Sequence, residues 1–261
     1  MTTATAIVWF QRDLRLDDNP ALEFAISHAQ SVIPLFIWTP EESAGWSPGS
    51  ASRWWLHHSL TALAASFARR GSRLVIRAGR PQSILDELVA STGAELLTWN
   101  RCYEPAIVDR DRSIEQSLQT RGCEVSTLNG SLLREPWDVA TGQGAPYKVF
   151  TPFWKSLQAG LRDFEPTAAP DTIPAPDVWP ESLQVDVLKL LPEIGWDAGF
   201  YDVWTPGEAG AQERLDEFVA SRMAGYSETR DRPDRAGTSA LSPHLHFGEI
   251  TPRQIWSAVN D

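Results

Sequence analysis

The sequence predicts an α/β protein: a doubly wound, five-stranded parallel sheet, then a linker, then the first helices of a second unit. Three observations carry this. Apolar runs of strand length alternate with segments of helical period over the first 130 residues, the signature of repeated βαβ units. Prolines and glycines punctuate these segments where helices begin and end. Beyond about residue 130 the composition shifts, and prolines recur at 166, 170, 174, 176, 180, 192 and 206, too densely for packed helices.

The first strand is expected over residues 6–10. Asn19 caps a helix that Pro20 opens, since proline at the first helical position gives up no needed hydrogen bond. The next apolar run, 32–38, completes a β-α-β unit. Residues 51–70 set Leu56, Leu60, Leu63 and Phe67 on one helical face, and Gly71 stops that helix. A third strand follows at 74–77. Pro81 opens a helix through Leu85, Leu88 and Val89 that Gly93 ends, and 95–99 is the fourth strand. A polar helix at about 109–121 precedes a fifth strand at 124–128. Right-handed crossovers between such units give a Rossmann-like sheet with helices on both faces and ligands at the strand carboxyl ends. The loops of interest are therefore 11–19, 39–50 and 100–105. None holds a G-x-G-x-x-G or Walker A pattern, which disfavours a nucleotide held in a Gly-rich cradle.

The boundaries that follow are 1–131 for the sheet unit, 132–204 for the connector and 205–261 for the start of a helical unit. In the last, Thr205-Pro206-Gly207-Glu208 reads as a capping box leading into Leu215, Phe218 and Val219, and Thr251-Pro252-Arg253-Gln254 as another leading into Ile255, Trp256 and Val259. The final helix stops at Asp261 with little to pack against, so the helical unit is expected to be incomplete.

The chain has 261 residues, with 23 Lys+Arg against 34 Asp+Glu and a net charge of −11. Its 42% apolar and 22% charged content is ordinary for a globular protein and excludes disorder, collagen-like repeats and a coiled coil. The acidic balance argues against coating nucleic acid through bulk charge, while leaving room for a local basic patch. Cys102 and Cys123, the only cysteines, have no histidine cluster nearby, so neither a disulfide framework nor a zinc site is indicated. No secretory leader and no apolar run of about eighteen residues is found. A cytoplasmic monomer without membrane contact is expected.

The segment richest in chemistry runs from 226 to 253. Gly237-Thr238-Ser239-Ala240-Leu241-Ser242-Pro243 places three hydroxyls and several N–H groups before a helix with Ser242 as its expected N-cap. That arrangement suits a phosphate, and it equally suits plain helix capping. His244 and His246 form an H-x-H pair lacking an evident third ligand, so no metal is expected. Trp54 and Trp55 fall on a helix of the sheet unit and read as packing residues.

The string TSALSPHLHFGEITPR, with Tyr226 and Arg230 upstream, closely resembles the start of the flavin-binding domain of the DNA photolyase and cryptochrome family. IVWFQRDLRLDDNPAL at 7–22, WNRCYEP at 99–105 and PYKVFTPFWK at 146–155 agree with it, in the family's order. The resemblance, taken as class I-like, covers nearly the whole chain. It implies an α/β antenna domain followed by the first helices of an all-α FAD-binding domain. Tyr226, Thr238, Ser239, Ala240, Leu241 and Ser242 match positions that hold a folded FAD, and Arg230 matches one that touches DNA.

The implied function is light-dependent repair of cyclobutane pyrimidine dimers in DNA, a carbon–carbon lyase reaction in which reduced FAD gives an electron to a dimer flipped from the duplex. A second, antenna chromophore, a folate or a deazaflavin, is implied near the strand ends, where Trp9, Trp38 and the 100–104 loop lie. Ala106-Ile107 stands where some folate-binding members carry Asn-Glu, which weakens the folate choice. A cryptochrome-type photoreceptor and a non-catalytic antenna module are the alternatives. The catalytic residues are expected beyond Asp261, and this chain by itself is expected to have little repair activity.

Overall fold

The computed structural model describes residues 3–39, 47–161 and 163–260; most of the 39–50 loop lies outside them. Five parallel strands, β1 (Thr3–Phe10), β2 (Ala29–Trp38), β3 (Val75–Ala78), β4 (Leu96–Asn100) and β5 (Glu124–Leu128), form one sheet in the order β3-β2-β1-β4-β5. The doubly wound fold expected from the sequence is the fold observed. Central strands buried on both faces read as near-continuous apolar runs, and the buried part of β1 does: Ala6, Val8 and Phe10 face one layer, Ile7 and Trp9 the other.

The first layer holds α1 (Pro20–His28) and α2 (Ser50–Ala68), through Leu22, Ala25, Leu56, Leu60, Leu63 and Phe67. The second holds α3 (Pro81–Thr92) and α4 (Pro105–Thr120), through Ile84, Leu85, Leu88, Ile114 and Leu118. Local signals set the ends. Asn19 Oδ1 accepts the Leu22 N–H at 3.1 Å, and Gly93 closes α3 at φ 67°. The polar helix α4 starts about four residues earlier than its periodicity suggests, because Pro105 fits a first turn and needs no donor partner.

The proline-rich stretch is an ordered strap along the first layer and the β3 edge. Asp18 N–H donates to Thr167 O at 2.7 Å, and Val32 N–H to Pro174 O at 2.8 Å. Leu183 N–H donates to Ile76 O at 2.8 Å while Ile76 N–H donates to Ser182 Oγ at 2.9 Å, which occupies outward groups that an edge strand would otherwise expose. Ile173, Leu188 and Leu190 are buried with the α1–α2 layer.

The remaining helices are α5 (Phe150–Ala159), α6 (Glu208–Glu217), α7 (Tyr226–Thr229), α8 (Ser242–Phe247) and α9 (Pro252–Asn260). The capping box at 251–254 forms in full: Gln254 N–H donates to Thr251 Oγ1 at 2.9 Å, and Thr251 N–H to Gln254 Oε1 at 2.8 Å. The one expected at 205–208 does not. Gly207, at φ 104°, precedes α6, and Glu208 turns away to accept the Leu16 and Asp17 N–H groups at 2.7 and 2.9 Å. A bond to a loop 191 residues distant outcompetes the local cap. After Glu217 the chain widens into a π-helical turn, Phe218–Arg222, so the expected stripe through Phe218 and Val219 leaves the α6 geometry. No described helix is long and apolar enough to cross a membrane.

Burial pushes the Glu208 carboxyl up from 4.5 to about 7, against the pull of the two N–H groups. A carboxyl whose folded value is raised favours the fold while protonated, so its contribution is present below about pH 4.5 and is lost as pH rises through about 7. Chemical denaturation across that range should show this loss, and Glu208→Gln, which keeps the acceptor oxygen, should flatten that part of the profile.

Candidate functional site

The strand order reverses between β1 and β4, and the crevice beyond their carboxyl ends is where such a sheet presents ligands. The 11–19 loop, expected to line it, does so only at Gln11 and Arg12. Asp13, Arg15, Asp18 and Asn19 are buried. Arg15 donates from Nη2 to Asp18 O and Gly130 O at 2.9 and 2.6 Å, from Nη1 to Gly248 O at 3.0 Å, and from Nε to Asp17 O at 3.0 Å. Asp18 Oδ2 accepts from Thr251 Oγ1 at 2.6 Å and from Arg253 Nε at 3.0 Å. Gly248 lies so close that a Cβ there would fall 1.9 Å from Arg12 O. Residues 13–19 therefore join the sheet to the α8–α9 region. Their partners lie up to 235 residues further along, which no local pattern announces.

What stays open is a cavity of about 390 Å³, the size of a small-cofactor site. Trp9, Phe36, Trp38 and Phe247 give it apolar walls, and Gln11, Arg12, Arg110 and His246 give it a polar rim. Trp9 is held edge-on by Trp99 at 5.7 Å and is covered by the Arg110 guanidinium at 4.7 Å. Arg110 also donates to Asp111 Oδ1 at 2.6 Å and to Gln11. Burial pushes the Cys102 thiol up to about 12, with Asp13, Asp111 and Glu104 adding to the effect, so this wall carries a neutral thiol rather than a nucleophile.

Of the 100–104 loop only Cys102 lines the cavity. Asn100 donates to Asp13 Oδ2 and Asn19 Oδ1 at 2.7 and 2.8 Å, Arg101 and Tyr103 both bond Glu135, and Glu104 pairs with Arg12. The sequence offers little sign of Arg110 or His246 here beyond their following β4 and closing α8. A second cleft, of about 820 Å³, lies between β3 and the strap, off the strand ends.

The hydroxyl turn leads directly into α8, whose His246 and Phe247 line the first cavity. Leu241, 2% exposed, anchors it to Ala211, Leu215 and Ile250. Thr238 and Ser242 face solvent, while Ser239 and Ala240 are half-buried. Gly237 is buried against Thr229, where a Cβ would come within 2.5 Å of that side chain. Arg222 Nη1 donates to Thr238 O at 3.3 Å, a neighbour no motif announces. Ala240 sits at φ 52°, a left-handed conformation that costs an alanine energy and is held by its surroundings. Ser242 is the first residue of α8 rather than its N-cap; Leu241 takes that place and no side chain caps the helix.

Tyr226 begins α7 half-exposed, edge-on to Phe218 at 5.8 Å, and α7 reaches the turn through Thr229. Arg230 points to solvent, its Nε 3.4 Å from Asp231 Oδ2. The histidine pair splits. His246 faces the cavity, whereas His244 is fully buried with Nδ1 2.5 Å from Glu249 Oε2. Glu249 Oε1 in turn accepts from Trp55 Nε1 at 3.0 Å and from Ser59 Oγ. No three metal-capable side chains gather among the described residues.

Comparison with known proteins bears on this geometry. The family model described as DNA photolyase matches residues 6–176. The deoxyribodipyrimidine photo-lyase of Agrobacterium fabrum is 45% identical over 99% of this chain and 54% of its own length. Cryptochrome-1 of Arabidopsis thaliana is 38% identical over 97% of this chain and 37% of its own length. A crystal structure described as a bacterial class III photolyase from Agrobacterium tumefaciens superposes with a TM-score of 0.93 at 44% identity, covering 99% of this chain and 53% of that one. The chain thus spans about half the length of the photo-lyase it matches. The class I-like subclass expected from the motifs gives way to similarity with a class III protein.

Arg15→Met should cost about 3–5 kcal/mol, because it leaves the carbonyls of Asp17, Asp18, Gly130 and Gly248 without their donor and removes the positive charge that faces the buried Asp13 and Asp18 carboxylates. The midpoint of a urea titration measures this, and an unchanged midpoint would show that the network bears no load.

Proposed function

Because this chain belongs to the DNA photolyase family, we propose that it is the chromophore-bearing half of a flavin enzyme that repairs cyclobutane pyrimidine dimers in DNA with light. The observation that carries this reading is the 45% identity, over almost the whole chain, with the Agrobacterium photo-lyase. On this proposal residues 1–131 form an antenna domain, 132–204 a connector and 205–261 the first part of the FAD-binding helices, and the subclass is class III.

The residues at the hydroxyl turn fit the phosphates of a flavin nucleotide. Thr238, Ser239 and Ser242 supply short hydroxyl donors, the turn at Ala240 supplies backbone N–H groups, and Leu241 fixes them from beneath. The buried Gly237 lets the turn lie close on Thr229. Tyr226 adds a half-exposed ring and hydroxyl beside it. Bound and reduced FAD would supply the light-driven electron that splits the dimer, while the chain binds and orients it. Arg230, exposed and loosely paired, would meet a DNA phosphate. The cavity of Trp9 and Trp38 would take the antenna, a planar folate or deazaflavin, with Arg110 and Arg12 facing its anionic groups.

A cryptochrome-type photoreceptor is the second reading, favoured by the 38% identity with the Arabidopsis protein; a non-catalytic antenna module is the third. A fusion of this chain to the remaining half of the Agrobacterium enzyme separates them. Under blue light and reducing conditions it should lower the dimer content of irradiated DNA, whereas this chain alone should do so little or not at all. A fusion that holds FAD yet leaves dimer content unchanged would favour the photoreceptor. In the same fusion Arg230→Ala should weaken DNA binding evenly across sequences and reduce the salt slope by about 1.

A further inference from the structure

The π-helical turn Phe218–Arg222 meets the hydroxyl turn and its tyrosine at three places. Val219 packs on the cluster of Leu215, Leu241 and Ile250 that anchors the turn. Phe218 stands edge-on to Tyr226 at 5.8 Å. Arg222, half-buried, donates from Nη1 to Thr238 O at 3.3 Å, while its Nη2 is held by the Glu217 carboxylate at the end of α6.

Packing explains Val219 and Phe218. It does not explain a guanidinium set against the neutral carbonyl of an exposed residue, and the peptide plane shows what that contact does. In a trans peptide the C=O and the following N–H point in opposite directions. With the Thr238 C=O held towards the π-helical turn, the Ser239 N–H is aimed away from it, and that N–H meets no acceptor among the described residues. A positive charge at the oxygen also polarises the peptide, which makes the N–H at its far end a stronger donor. The turn is fixed on either side of this plane, by the close approach of Gly237 to Thr229 and by the burial of Leu241. Between those anchors, Arg222 sets the plane.

We propose that Arg222 is a positioning residue for a diphosphate at the hydroxyl turn: it aims the Ser239 N–H outward and strengthens it as a donor to a phosphate oxygen. Arg222 acts through the Thr238–Ser239 peptide rather than by touching the ligand. The inference rests on the reading of this turn as the seat of the flavin phosphates. It adds a basis for selection, because a strengthened N–H favours FAD over riboflavin, a flavin that carries no phosphate.

Amide NMR of the intact, isotope-labelled chain tests this, with inorganic pyrophosphate as the probe. The Ser239 amide proton should move downfield and saturate as millimolar pyrophosphate is added. Arg222→Leu should weaken that binding about tenfold, the order expected for loss of a charge-assisted contact. Arg222→Lys, which keeps the charge without the planar fork, should recover part of the loss. Without ligand, Arg222→Leu should shift the Ser239 amide upfield and leave those of Leu241 and Ile250 in place, a response that general loosening of the helix does not give. An unchanged pyrophosphate affinity in Arg222→Leu, or a Ser239 amide indifferent to pyrophosphate in the unaltered chain, overturns the inference. The flavin reading fails on a different result: a fusion to the Agrobacterium half that takes up no FAD, with or without Arg222→Leu.

Discussion

A single guanidinium governs how the parts of this molecule meet. Arg15 is 1% exposed, and its position is tolerable only because carbonyls from 17, 18, 130 and 248 and the carboxylates of Asp13 and Asp18 surround it. Burial lowers the affinity of Arg15 for its proton, and the two carboxylates offset part of that loss. Burial also pushes the Asp13 carboxyl up, while Arg15, the Gln11 N–H, Asn100 and Asn19 draw it back. The arrangement works as a whole or not at all, since each group would be costly without the others. Through it the loop after β1, the turn after β5 and the end of α8 are fixed to one another.

That constraint shapes the crevice. With residues 13–19 committed to the network, only Gln11 and Arg12 are left to border the opening, and Phe247, whose carbonyl accepts the Leu14 N–H at 3.1 Å, is held as its wall. A second tie runs alongside, where Glu249 gathers His244, Trp55 and Ser59 at the back of α8. The hydroxyl turn precedes α8 directly and inherits its placement from both ties. The left-handed Ala240 is kept in that conformation by Leu241 below and by the Thr229–Gly237 contact behind.

An acidic chain can still present basic rims. Of the net charge of −11, the strap and the C-terminal region, residues 132–261, carry −9, whereas no Asp or Glu occurs between 43 and 85. The cavity rim carries Arg12 and Arg110, and the turn has Arg222 as a neighbour. Local arrangement rather than overall charge decides what approaches each place.

Much of the architecture was legible because its determinants are local. Period-two and period-3.6 apolar patterns, Asn19, Pro20, Pro81, Gly93 and the Thr251–Gln254 box each act within a few residues, and each sits where its pattern indicates. Motifs likewise located the hydroxyl turn and the tryptophans of the crevice. Other features were decided only when the chain closed on itself. Glu208 left its expected cap for Leu16 and Asp17, Arg15 turned an expected ligand loop into an internal joint, and Arg110 and His246 met at one rim. The physical reason is range. A cap or a stripe is settled by neighbours along the chain, but the fate of a charged side chain depends on which distant backbone reaches it before water does.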